Sequence, residues 1–388
     1  MKKIPYKYQA EEMCTRCIMD ITVRGIKFDE NGVCTFCHIH DELEEKFSLN
    51  SNIENELNVI IEKIKKDGKR KKYDCIVGVS GGKDSSFTLV KVVELGLNPL
   101  VVHFDNGWNS DIAVNNIKNL CSKLNVHLYT HVADWEEFKD LQKSFLYASV
   151  PDGEVPTDWV ITSVLHKIAS KEKIRYIIGG NTFRTEGTTP LTWTYQDPTY
   201  INHIQKTFGK KKIRSFPIMN TLQFFYFSII KRIRWLRILY YIPYNEKEAV
   251  QYLTENYGWI NYGGKHFEST YTKFFQSYIL TRKFNIDKRK LHFSALIRSN
   301  QMDRDIALNK IQEDPYEGGL ESIVYTLKKL NITEKEFDKL MHEEPKSFMN
   351  YRSLYKLILF LKKPLNFAAR IGVVPDVIIK KYFKFDFK

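Results

Sequence analysis

No stretch of this chain stays apolar for the ~18–20 residues that a membrane-spanning helix needs. Its start, Met1-Lys-Lys-Ile-Pro-Tyr-Lys-Tyr-Gln9, lacks an apolar core of signal-peptide length. The expectation is a cytoplasmic protein without a membrane span. Cysteine is scarce, with six in 388 residues. In a reducing compartment these are metal ligands or free thiols rather than disulfides. Internal repeats and low-complexity tracts are missing, which excludes solenoids and linker-like chains. The glycines at 81–82 fit neither G-x-x-x-x-G-K-S/T nor G-x-G-x-x-G, so the two commonest nucleotide loops are excluded there. A glutaminase site is missing too: there is no N-terminal cysteine and no recognisable Cys/His/Glu set. Nor is there a recognisable aromatic-rich RNA platform.

What remains is an ordinary globular composition, 43% hydrophobic and 27% charged, with a net charge of +13. The length predicts two or three domains. The positive balance suits an anionic substrate or a nucleic acid, and equally a lysine-rich surface.

The most informative stretch is Asp74-Cys-Ile-Val-Gly-Val-Ser-Gly-Gly-Lys-Asp-Ser-Ser86. An apolar run of strand type breaks at Gly81-Gly82 and resumes at helical spacing from Phe87 until Gly96. A strand, a glycine turn and a helix aim backbone N–H groups and a positive helix end at an anion. Glycines let the anion approach closely. Ser80, Ser85 and Ser86 add hydroxyl donors, and Lys83 adds a cation. The string Ser80-Gly-Gly-Lys-Asp-Ser85 resembles the PP-loop of the N-type ATP pyrophosphatases. That resemblance implies that the pyrophosphate half of ATP is held here and that the bond between the α and β phosphates is cleaved. Val79, Ser80, Gly81, Gly82, Asp84 and Ser85 are then nucleotide-binding candidates, and Ser80, Lys83, Asp84 and Ser85 catalytic ones. Asp84 either orients the loop and helps hold Mg²⁺ or caps the following helix.

Further apolar runs occur at Pro99–Asp105, 126–132 and 174–178, with helical patterns between them. Alternation of this kind predicts an α/β fold with a parallel sheet whose ligand crevice lies at the carboxyl ends of the strands. His103, Phe104 and Asp105 and the segment from Gly179 to Glu186 should therefore meet Ser80 on one rim. His103 to Asp105 would line the adenosine side, and Gly179, Gly180 and Asn181 the ribose or the activated phosphate. Arg214-Ser-Phe-Pro-Ile218 reads as a fifth strand. The basic, aromatic segment Leu222–Tyr244 reads as a helix packed on the core or a partner in preference to a membrane surface.

At the N-terminus, Cys14-Thr-Arg-Cys17 and Cys34-Thr-Phe-Cys37 have the spacing of a four-thiolate zinc ribbon, with a hairpin turn at Asn31-Gly32 between them. So short a segment would draw its folding energy from structural Zn²⁺. A redox role is the rival, weakened because neither pair opens a helix in a thioredoxin-like unit. The expected organisation is a zinc ribbon over 1–46, a PP-loop domain over 47–312 with a substrate-binding segment at 258–292, and a helical extension over 313–388.

A pyrophosphate loop without an obvious nucleophile suggests an adenylating enzyme, in which positioning and charge neutralisation supply the acceleration. A PP-loop tRNA thiolase would need reactive cysteines at the rim, but outside the ribbon only Cys75 and Cys121 exist. A third reading, a zinc-ribbon adaptor with a degenerate nucleotide fold, is opposed by the intact loop. The wider pattern resembles the N-acetyl sugar amidotransferase family of bacterial surface-polysaccharide biosynthesis. It does so in Met13–Asp20, Gly25–Cys37, Ser80–Ser85, Gly180–Gly187, Ile242–Ala249 and Tyr262–Ser269, together spanning roughly residues 10–315. Ile21 departs from the Thr or Ser expected after Asp20 and touches no proposed ligand.

The resemblance implies that an acetamido group on a sugar, often a nucleotide-linked uronic acid or a nonulosonic acid, becomes acetamidino. ATP would adenylylate the amide oxygen and ammonia would displace AMP. Ammonia would come from a separate glutaminase working with a cyclase-like partner. Nucleic acid is not expected as a partner. An anionic sugar gives the basic cluster a use, making Lys265, His266, Arg282, Lys283, Lys288 and Arg289 substrate-binding candidates, with Glu186 and Glu268 for a hydroxyl or the ammonia proton.

Overall fold

The computed structural model describes residues 3–9, 11–264, 267–370 and 382–383. The ribbon is built on two small antiparallel contacts, Met13 with Asp20 and Phe28 with Cys34. Between them Asp29 Oδ1 accepts from the backbone N–H groups of Asn31 and Val33, each at 2.9 Å, and closes the expected turn. Gly32 takes φ +75° there. A Cβ on it would meet Thr15 Cγ2 at 2.7 Å. Cys34 stands at the N-cap of α1 (Thr35–Lys46). The second cysteine pair thus opens a helix, but not one in a thioredoxin-like unit, since among the described residues no sheet strand precedes it. Asn50 caps α2 (Ser51–Gly68), which lays Ile53, Leu57, Ile61 and Ile64 on the core at helical spacing.

The central domain alternates as its apolar runs predict. The elements are β1 (Cys75–Val79), α3 (Lys83–Glu94), β2 (Pro99–Asp105), α4 (Asp111–Lys123), β3 (His127–Val132), α5 (Trp135–Tyr147), α6 (Val155–Lys171) and β4 (Tyr176–Gly179). After β4 come α7 (Phe183–Glu186), α8 (Pro198–Phe208), α9 (Thr221–Phe225), β5 (Arg234–Arg237) and α10 (Glu246–Tyr257). Among the described residues the sheet has the order β3-β2-β1-β4-β5, and every pairing is parallel. Strands covered on both faces read as continuous apolar runs, and the side chains of β1 divide accordingly. Ile76 packs on one face with Leu100, Val102 and Ile177. Cys75, Val77 and Val79 pack on the other with Val101 and Ile178.

The fifth strand is not where the sequence pattern put it. Arg214-Ser-Phe-Pro-Ile218 forms no strand. The backbone N–H groups of Arg214, Ser215 and Phe216 converge instead on the Glu137 carboxylate at 2.9–3.2 Å. A side chain has taken the place of a sheet ladder. The segment 222–244 is also not one helix. α9 runs on as a wider π-type turn to Ile230, Arg232 reverses the chain at φ +54°, and β5 adds to the sheet edge.

The C-terminal part contains α11 (Thr270–Phe274), α12 (Leu280–Lys283), α13 (Lys288–Arg298), α14 (Arg304–Gln312), α15 (Leu320–Leu330) and α16 (Glu334–His342). Of the helical extension expected over 313–388, residues 371–381 and 384–388 lie outside the described residues. Ribbon, sheet and these helices share one continuous apolar core that includes Met19, Ile76, Leu291 and Phe337.

α13 fastens the ribbon. Ser294 Oγ accepts from the Ile18 N–H at 3.2 Å. Lys290 and Asp20 form an ion pair with side chains only 7% and 1% exposed. Burying such a pair is costly, but removing one partner strands the other charge. Lys290→Met should therefore lower unfolding free energy by about 3 kcal/mol, as measured by denaturant titration. A loss below about 1 kcal/mol, the range of an exposed pair, would show that Asp20 is not stranded.

Candidate active site at the Ser80–Ser85 loop

The loop leaves β1 at Val79 and enters α3 at Lys83, with Gly82 as N-cap. Gly82 has no side chain to occupy the helix N-terminus, so those backbone donors face outward. Gly81 takes φ +85°. A Cβ there would lie 2.5 Å from the Ala113 carbonyl oxygen. Ser80 and Ser85 brace the loop from within. Ser85 Oγ donates to the Gly82 carbonyl at 3.1 Å, and Ser80 Oγ accepts from the Gly82 N–H at 3.3 Å. The Ser80 N–H points to Ser85 Oγ at 3.3 Å.

Three other segments close on this turn. Gly180 presses against it so tightly that a Cβ would stand 2.9 Å from the Asp84 carbonyl and the Ser85 nitrogen. His103 donates from Nδ1 to the Val79 carbonyl at 3.0 Å. Burial lowers its pKa, so the ring is neutral and Nε2 accepts from Asn109 Nδ2 at 3.1 Å. Asp105 Oδ1 holds the same Asn109 amide at 3.3 Å. Phe104 turns the other way, into the core with Phe138 and Phe216. It does not share the rim with its neighbours, because alternate residues of a strand point to opposite faces. Asn181 Nδ2 donates to Glu186 Oε2 at 3.0 Å.

Five residues to which the sequence assigned no role, Tyr244, Glu246, Trp259, Tyr262 and His292, stand over the loop. The Tyr244 hydroxyl bonds Asp84. Lys83 Nζ lies 2.7 Å from Glu246 Oε1. The Tyr262 hydroxyl donates to Glu268 Oε2 at 3.1 Å, and the same hydroxyl would be 2.9 Å from a Cβ on Gly82. Trp259 Nε1 donates to the Gly81 carbonyl at 3.0 Å. His292 contributes from α13: its Nδ1 faces the Thr185 carbonyl at 2.7 Å and its Nε2 faces Glu246 at 3.5 Å. Burial, then the nearby carboxylates, push both tyrosines far above their ordinary pKa. The Tyr244 hydroxyl feels Asp84, Glu246 and Glu186, and that of Tyr262 feels Glu268, Asp84 and Glu246. Four carboxylates thus surround an anion-binding turn. Tyr244, Glu246 and Tyr262 sit inside the stretches Ile242–Ala249 and Tyr262–Ser269, so the signal was in the sequence without a role attached to it.

The expected cation cluster does not assemble. Arg282 spends its donors on the carbonyls of Ile4 and Ser277, on Thr281 Oγ1, and on both Asp314 oxygens at 2.8 Å. Arg289 grips Asp287 and the carbonyls of Ile311 and Glu313. Lys283 donates to the Leu340 carbonyl, and Lys288 pairs with Glu154 at 3.2 Å. These four hold helices and the N-terminal segment together, which corrects their reading as substrate ligands. Lys265 and His266 lie outside the described residues.

Away from the loop, Cys14, Cys17, Cys34 and Cys37 are buried with all four sulfurs within 4.8 Å of one another. Three of the sulfur–sulfur separations are 3.7 Å. A tetrahedron of thiolates about 2.3 Å from one ion has edges of about 3.8 Å. A four-iron cluster, by contrast, gives each thiolate its own iron and spreads the sulfurs further. The Cys34 N–H donates to Cys14 Sγ at 3.2 Å, and Arg298 Nη1 approaches Cys17 and Cys37 at 3.8 and 4.0 Å. His40 is no fifth ligand, since its ring packs edge-on against Phe183. Burial, with Arg298 nearby, drops its pKa to about 3. The other two cysteines are inert: burial raises the Cys75 thiol well above its ordinary value and Cys121 to about 11.

Sheet and loop together define the class, an α/β protein of PP-loop type. Residues 268–363 match the family model described as LPS biosynthesis protein WbpG-like, C-terminal domain. That match supports the N-acetyl sugar amidotransferase family and a place in lipopolysaccharide biosynthesis. An uncharacterized protein of Methanocaldococcus jannaschii is 28% identical over 174 residues, which span 43% of this chain and 58% of that relative's length. The U34-tRNA thiolase NcsA from Methanococcus maripaludis, with its 4Fe-4S cluster, aligns with 84% of this chain and 100% of its own at 14% identity and a TM-score of 0.31. NMN synthetase from Francisella tularensis aligns over 46% of this chain and 71% of its own, at 17% identity and a TM-score of 0.26. Scores this low carry nothing further about the chain.

Gly180→Ala should test the close approach at the loop. A Cβ there must displace Asp84 and Ser85 backbone, and a misplacement of about 1 Å is enough to cost roughly 100-fold in turnover. Pyrophosphate release should fall by that order while the far-ultraviolet circular dichroism stays unchanged. Undiminished release would mean the loop does not hold the reacting phosphates.

Proposed function

We propose that this chain is an ATP-dependent amidotransferase that turns the acetamido group of an anionic N-acetyl sugar into an acetamidino group. The carrying observation is the anion-binding turn at Ser80–Ser85 ringed by Asp84, Glu186, Glu246 and Glu268. Carboxylates beside a triphosphate would repel it unless a divalent cation stood between them. Asp84 and Glu246 would hold Mg²⁺, which neutralises charge on the phosphates and steadies the pyrophosphate that leaves. The loop N–H groups and Ser80 and Ser85 would grip the β and γ phosphates, and Lys83, steered by Glu246, would reach the same oxygens. The polar side of β2, His103 and Asp105, would border the adenosine.

In the first step the sugar amide oxygen attacks the α phosphorus, and the bond to the β phosphate breaks, releasing pyrophosphate. In the second, ammonia adds to the activated amide carbon and the carbon–oxygen bond breaks. AMP departs with the former amide oxygen, and a proton is lost to leave the amidine. Glu268 or Glu186, both on the rim, could take that proton. Ammonia would be delivered by a separate glutaminase with a cyclase-like partner. No thiol is available at the rim to carry sulfur, and this favours ammonia over thiolation. The ribbon would hold Zn²⁺ in a structural role, since the four sulfurs match its size.

Incubation with ATP, Mg²⁺, ammonium and N-acetylated uronic or nonulosonic acids should release AMP and pyrophosphate in equal amounts. Sugar carrying ¹⁸O in the acetamido carbonyl should pass the label to AMP. Pyrophosphate release that depends on tRNA, or on a persulfide donor, would replace this reading with a tRNA-modifying one. For the ribbon, elemental analysis should find one zinc per chain, lost in Cys14→Ser; iron and sulfide in its place would refute the structural zinc site.

A further inference from the structure

The segment between α8 and α10 departs from the rest of the chain in charge. From Pro198 to Asn245 it contains nine lysines and arginines and no aspartate or glutamate. Its ten-residue helix, α9 and the π-type turn to Ile230, is turned inside out relative to an ordinary surface helix. Leu222, Phe225, Tyr226, Ile229 and Ile230 recur at helical spacing on the solvent side, at 80%, 52%, 45%, 53% and 68% exposure. Phe227 is buried in the core from the opposite face, and Phe224 packs against the same core partly buried. Such a stripe on a single helix is more apolar surface than a freely solvated element carries.

Cations follow it immediately. Lys231, Arg232 and Arg234 are exposed and Arg237 is half-buried. Lys231 Nζ lies 5.5 Å from the Tyr226 ring centroid, which places an ammonium beside the apolar stripe. Among the described residues, none of these four makes an ion pair. Trp235, 38% exposed, adds an amphipathic ring on the same strand. No helix is long and apolar enough to cross a bilayer. An apolar stripe edged by cations and aromatic rings, with every acid excluded, is complementary to the boundary of an anionic bilayer: hydrocarbon below, phosphates above. We infer that this surface, from Leu222 to Arg237, docks the protein on an anionic lipid membrane, with the helix lying in the interfacial plane. Nucleic acid would use the cations but leave the aliphatic Leu222, Ile229 and Ile230 in water. A protein partner would need matching acids and is the rival outcome of the test.

The test is co-sedimentation of the full chain with vesicles of phosphatidylcholine alone or with phosphatidylglycerol at a third of the lipid. Binding should require phosphatidylglycerol and weaken with salt. Lys231→Gln with Arg232→Gln should weaken it about 25-fold, about fivefold per cation. Ile229→Ser with Ile230→Ser should weaken it about tenfold without altering the net charge. All four positions are exposed, so the variants should melt at the temperature of the parent. The proposal fails if the parent stays in the supernatant with phosphatidylglycerol vesicles. It also fails if the isoleucine variant binds as well as the parent, because the attraction would then be diffuse charge alone. Loss of tRNA or of a co-expressed glutaminase by these variants, with vesicle binding unaffected, would overturn it as well.

Discussion

Four cysteine sulfurs held within 4.8 Å of one another in a buried site cannot stand as free thiolates, and the rest of the ribbon follows from that constraint. A single ion would satisfy them. Four thiolates on a divalent cation would still leave negative charge in a poorly solvated place. The protein answers with Arg298, itself buried and aimed at two of the sulfurs. Arg304 bonds the carbonyls of Cys14 and Cys17 at 3.0 and 3.2 Å, and the Asp20–Lys290 pair is sealed beside them. These contacts come from α13 and α14, so the N-terminal ribbon is completed by residues nearly three hundred positions away.

The phosphate turn shows the same economy of charge in reverse. Its helix end and backbone donors suit an anion, while carboxylates from four segments crowd around it. Tyr244 and Tyr262 keep two of those carboxylates in place as hydrogen-bond donors that do not ionise, since burial and the neighbouring acids raise both phenols. On the proposed reading, such a rim would favour a polyphosphate that brings its own divalent cation.

Much of this was legible in the residue pattern. The strands at 75–79, 99–105 and 176–179 are apolar runs buried on both faces, whereas 127–132 lies at the sheet edge and is largely exposed. The cysteine spacing placed the metal-type cluster, and the glycine turn placed the anion site. Two kinds of information were not local and could not be read. Arg282 and Arg289 have the composition of substrate ligands, but their partners, Asp314 and the carbonyls of Ile311 and Glu313, are set by helix packing. The fifth strand was misplaced because the Arg214–Phe216 backbone is satisfied by one distant carboxylate, whereas Arg234–Arg237 is charged and becomes a strand only by completing an edge.

α13 deserves a mechanical description. Lys290, Ser294 and Arg298 recur every four residues along one side and hold the ribbon. His292, on the opposite side, reaches the Thr185 carbonyl and Glu246, the partner of Lys83. One short rod therefore touches the cysteine cluster with one flank and the phosphate rim with the other. A shift of that helix along its axis would be felt at the cysteine cluster and at Glu246 together. Ribbon and phosphate rim are thus tied through one helix, and through Glu44 and His40, which meet Arg184 and Phe183 in the segment that carries Glu186.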